Sequence, residues 1–83
     1  MKNYSPVMQT VFNTLFNHGY PLQKCREDTF WIILPNNYKI EIFDNGNDCI
    51  CVGSHNNSYD YQRGEDICAE YVLQHVSTIE QRN

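Results

Sequence analysis

The chain contains no run of 18 or more apolar residues, so no helix of sufficient length and apolarity to cross a bilayer is expected. Its first residues, Met1-Lys2-Asn3-Tyr4-Ser5-Pro6, pass directly into an amphipathic stretch without a continuous apolar segment. No secretory signal is therefore expected, and a cytoplasmic location is. Paired metal knuckles of the Cys-x-x-Cys kind are missing. So are internal repeats, linkers and low-complexity tracts, which leaves residues 1–83 as one domain. Basic residues are scarce: six Lys and Arg stand against ten Asp and Glu, a net charge of −4. That balance disfavours direct binding to a phosphate backbone.

Aromatic and aliphatic side chains are present in quantity. Aromatics make up 13% of the chain and hydrophobic residues 41%, the composition of a folded protein. Ser5-Pro6 reads as an N-cap followed by proline at the first helical position. Val7, Met8, Val11, Phe12, Leu15 and Phe16 then recur at helical spacing, and Gly19 supplies a stop. A helix over about 6–18 follows. Strands are expected over about 29–34, 38–43 and 48–53, with shorter ones over 20–25 and 58–61. Asp44-Asn45-Gly46-Asn47 has the chemistry of a tight hairpin. Gly64 reads as a break, and Cys68, Val72, Val76 and Ile79 then mark a second helix over about 65–79. In that frame Glu65 and Asp66 occupy its first turn, where the helix dipole favours acids. The expected architecture is α+β: an antiparallel meander of three to five strands, with the N- and C-terminal helices packed on one face.

The four cysteines and three histidines raise the question of a metal or a nucleophile. Cys25 and Cys68 are isolated, and Cys49-x-Cys51 lacks knuckle spacing, so packed thiols are preferred to zinc. A reducing compartment would keep them free. No cysteine lies in a signature that sets it beside a base. Asp44-x-Gly46-x-Asp48 lacks the ligand pattern of a calcium loop and is better explained as turn chemistry. A non-enzyme without cofactor or metal is expected.

Charge is more informative. Residues 41–70 carry Glu41, Asp44, Asp48, Asp60, Glu65, Asp66 and Glu70 against Arg63 alone. The remaining residues carry a small positive excess. If these acids converge, they offer a surface for a basic protein or nucleoprotein complex. Tyr59 and Tyr61 would add contact area beside Asp60. The expected partner-binding set is Asp44, Asp48, Tyr59, Asp60, Tyr61, Glu65, Asp66 and Glu70. Trp31 is opposite in phase to Phe30, Ile32 and Leu34, so Trp31, Ile33 and Phe43 would share the other sheet face and support a homodimer.

In length, acidity, richness in asparagine (ten residues) and lack of catalytic signatures, the chain resembles small acidic proteins of phages and mobile elements, including anti-CRISPR proteins. That resemblance implies a protein-binding inhibitor of a nucleic-acid-handling partner and assigns no individual residue.

Overall fold

The computed structural model describes residues 4–35, 38–56 and 61–81, with backbone alone at 55, 56 and 61–63. Helix α1 (Pro6–Asn17) leads into strands β1 (Leu22–Arg26), β2 (Thr29–Ile33), β3 (Tyr38–Asp44), β4 (Cys49–Asn56) and β5 (Tyr61–Cys68). A 3-10 turn over Ala69–Tyr71 then enters helix α2 (Val72–Gln81). The five strands pair in sequence order, each antiparallel to the last. The expected α+β meander with a helix at each end of the sequence is therefore the observed fold.

Both ends of α1 are set by local chemistry. The Ser5 hydroxyl oxygen accepts the Met8 N–H at 3.2 Å, and Pro6 follows at a position that needs no N–H donor. At the other end Gly19 has φ of +86°. Its N–H reaches Phe16 O, while the Tyr20 N–H reaches back to Leu15 O. This paired closure satisfies carbonyls that the helix leaves free. The Ser5 hydroxyl also donates to Asp44 Oδ2 at 2.5 Å, which ties the start of α1 to the end of β3. Ser5→Ala removes both bonds. It is expected to cost about 1–2 kcal/mol, read as a lower denaturant midpoint with an unchanged slope.

Alternation divides the sheet into two faces. Phe30 and Ile32 of β2, Ile40 and Ile42 of β3, and Ile50 and Val52 of β4 are buried beneath the helices. Met8, Val11 and Leu15 of α1 and Val72 and Val76 of α2 close that core from above. Trp31, Ile33 and Phe43 lie on the opposite face and are half-buried.

The C-terminal third departs from the sequence expectation. Residues 65–68 belong to β5, not to the last helix, and β5 extends well beyond a short strand at 58–61. Cross-strand pairing overrides the helical spacing. Ile67 stands opposite Ile50 and packs against the core, so the ladder continues to Cys68 before the chain turns. Glu65 and Asp66 accordingly sit in a strand and face opposite sides of the sheet. Gly64 does not end an element but lies within β5, where the β4–β5 register shifts between Val52 and Ser54. In the β3–β4 hairpin the positive φ values fall on Gly46 (83°), Asn47 (52°) and Asp48 (58°), one step later than an Asn45-Gly46 turn implies.

Candidate functional site

The hairpins of a meander alternate between the two ends of the sheet. The β1–β2 turn, the β3–β4 hairpin and the exit from β5 therefore share one end, and both helices begin there. This end collects Glu27 and Asp28 from the first turn, Asp44 and Asp48 from the hairpin, and Asp66 and Glu70 from the β5 exit. These are six of the chain's ten acidic residues. Hydrogen bonds stitch the rim together. The Asp44 N–H donates to Asp28 O at 3.0 Å, and the Ala69 N–H to Asp48 O at 3.2 Å. Asn45 Nδ2 donates to Asp66 Oδ1 at 3.1 Å. With strands about 4.8 Å apart, the rim extends about 20 Å across the sheet.

The carboxylates differ in availability. Asp44 is committed to the fold: one oxygen takes the Ser5 hydroxyl and the other accepts the Gly46 N–H at 2.9 Å. Asp28 Oδ1 accepts the Thr29 hydroxyl at 3.0 Å. Asp48, Asp66 and Glu70 are exposed and form no ion pair with another described residue. The positive ends of the two helix dipoles point toward this rim and offset part of the repulsion among the acids.

Not all of the expected set converges. Glu65 lies on the helix side of β5 and lines a shallow depression with Ile67, Tyr71 and His75. Tyr59 and Asp60 lie outside the described residues. Tyr61 opens β5 opposite His55, at the far end of the sheet, about 17 Å along the strand from Asp66. Its nearness to the acids in sequence is thus undone by the extended strand. Conversely, Glu27 and Asp28 join the rim, although the sequence reading grouped them with the basic remainder. The alternation of meander turns was the available signal for them.

Two lysines are engaged with aromatic rings, and one arginine stands beside the rim. Lys24 of β1 places its ammonium 5.2 Å from the Tyr4 ring and 5.4 Å from the Phe12 ring. Lys39 stands 4.7 Å from the Trp31 ring, toward the opposite end of the sheet from the rim. Arg26 flanks the rim from the edge strand without an ion pair to a described acid. Burial lifts the Tyr4 phenol above its ordinary value, and the nearby Cys25 and Asp28 add to the shift. The Tyr20 phenol is raised by burial and then by Glu80, which its hydroxyl approaches at 3.5 Å.

A groove of about 320 Å³ runs between α1 and the start of α2. It is lined mainly by Val7, Val11, Val72 and Leu73, and its one ionisable group is Glu70. Among the described residues no three His, Cys, Asp or Glu side chains are grouped so as to hold a metal ion. Among them, too, no helix is long and apolar enough to cross a membrane. No protein-family model matches the sequence, and comparisons with curated proteins and with solved structures find no match.

Proposed function

We propose that the protein is a non-catalytic inhibitor whose acidic rim docks on a positively charged, nucleic-acid-handling protein. It would act in the manner of the anti-CRISPR proteins that its small, acidic sequence resembles. One observation carries this reading. Three separate segments deliver six acidic residues to one end of the sheet, and the ammonium groups of Lys24 and Lys39 are engaged with aromatic rings. Such a rim presents repeated negative charge to lysines and arginines that otherwise hold phosphates. The mechanism is steric and electrostatic: the rim occupies the phosphate track and excludes the nucleic acid.

The exposed acids can be tested without touching Asp44, whose carboxylate holds the cap of α1. The variant Asp48→Asn, Asp66→Asn, Glu70→Gln is expected to keep its thermal midpoint within a few degrees of the parent. It is expected to lose about tenfold or more in affinity for a basic partner retained from host lysate at low salt, and to show a flatter salt dependence. Equal retention of parent and variant across a salt gradient would remove the rim from the binding surface.

A second reading rests on a different feature. The helices cover one sheet face only, and Trp31, Ile33 and Phe43 lie on the other. Self-association through that face would appear as a concentration-dependent rise in sedimentation coefficient, abolished by Ile33→Glu. A strict monomer at high concentration removes this reading.

A further inference from the structure

The β4–β5 ladder brings two thiols together that are nineteen positions apart in sequence. Cys49, the first residue of β4, stands directly opposite Cys68, the last residue of β5. The type of pair matters. The Ala69 N–H donates to Asp48 O, so the hydrogen bond belongs to the neighbours of the two cysteines and runs outside them. The cysteines therefore form a non-hydrogen-bonded pair, in which the Cα atoms approach to about 4.5 Å and the side chains lie closest. That separation falls within the range of about 4.4–6.8 Å that a disulfide spans. Both side chains leave the sheet on the same face, Cys68 exposed and Cys49 half-buried.

The other thiols are less well placed. Cys51 is two residues along the same strand from Cys49 and stands opposite Asp66. It meets Cys68 only on the diagonal, where Cα atoms are about 7–8 Å apart. Cys25 is on β1, the far edge of the five-stranded sheet.

We propose that Cys49 and Cys68 form a reversible thiol–disulfide site, oxidised by exchange with a low-molecular-weight disulfide such as oxidised glutathione. The exposed Cys68 thiolate attacks one sulfur of the small disulfide and expels the first thiolate, leaving a mixed disulfide. The Cys49 thiolate then attacks Cys68 Sγ, and the second small thiolate departs. The protein gives up two electrons and two protons, and the oxidant becomes two thiols. The new bond closes the β4–β5 hairpin and pins the entry to α2 against the β3–β4 hairpin. The site does not depend on the acidic rim binding anything, although the crosslink would stiffen one side of that rim.

The test uses the full folded chain. After equilibration with oxidised glutathione, the Cys25→Ser protein, which lacks the one exposed thiol without a cysteine on its paired strand, is expected to lose two titratable thiols and two mass units without retaining glutathione. A non-reducing peptide map should join Cys49 to Cys68. Thermal unfolding should rise by about 10 °C, since the crosslink restricts a loop of about twenty residues in the unfolded chain, and dithiothreitol should reverse the rise. In the same background Cys49→Ser should stop at the mixed disulfide on Cys68, whereas Cys51→Ser should still form the crosslink. A Cys25→Ser map joining any other cysteines, or glutathione adducts alone, overturns the assignment whatever the further variants do.

Discussion

Replacing Phe30 with alanine is expected to destabilise the protein by about 3–5 kcal/mol, enough to consume much of what holds a domain of this size together. Phe30 is 0% exposed at the centre of the core. Its ring meets Phe12 edge-on, with centroids 5.0 Å apart and planes at 81°, and it leans on Tyr4 at 5.9 Å. Three elements therefore meet on one side chain: α1 through Phe12, the segment before it through Tyr4, and β2 itself. An 83-residue chain buries a modest fraction of its unfolded surface and has few other core aromatics to take over. The thermal midpoint should fall by about 20 °C, or the cooperative transition should vanish at room temperature. Phe16→Ala is the matched control. Phe16 is 63% exposed at the end of α1, and the same truncation there should change stability by no more than about 0.5 kcal/mol. Similar losses at the two sites would mean that Phe30 is not the pivot of the core.

The second large effect is expected at a residue with no side chain. A Cβ on Gly64 would lie 2.5 Å from Cys51 Sγ and 2.9 Å from both the carbonyl carbon and the oxygen of Val52. Sulfur could swing aside, but the Val52 backbone is held in ladders on both sides. Gly64→Ala is thus expected to cost about 2–4 kcal/mol, seen as a drop of about 10–20 °C in thermal midpoint. Adding Cys51→Ala separates the two contacts. It should recover only a small part of the loss, because the clash with Val52 remains. Full recovery would place the whole cost on the thiol. Gly46 offers a contrast, since nothing lies within 4 Å of a Cβ there and its constraint is a φ of 83°. The two glycines have different uses: Gly64 permits close approach of strands, and Gly46 permits a left-handed turn.

Much of the architecture was legible because its causes are local. Ser5-Pro6 and Gly19 bracket α1 through hydrogen bonds that span five residues or fewer. The alternation of Phe30, Ile32 and Leu34 with Trp31 and Ile33 sorts the faces of β2 correctly, since a strand's side chains alternate wherever the strand lies. The last third was misread for the opposite reason. Cys68, Val72 and Val76 do recur at helical spacing, but the choice between helix and strand for Glu65–Cys68 was made by β4. Ile67 has Ile50 to pack beside, and pairing outweighs a weak local preference.

The same distinction governs the candidate sites. Composition and charge patterning established an acidic second half, a shortage of basic groups and an alternating sheet rich in aromatic residues. Tertiary structure decided which acids keep company: it brought in Glu27 and Asp28, committed Asp44 to the cap of α1, and sent Glu65 to the other side of the sheet. It also set Cys49 against Cys68 and made Gly64 a point of strand contact. Periodicity and turn chemistry act over a few residues and are written along the chain. The end at which a turn lands, and the residue that faces it across a ladder, depend on the count and register of every strand between them.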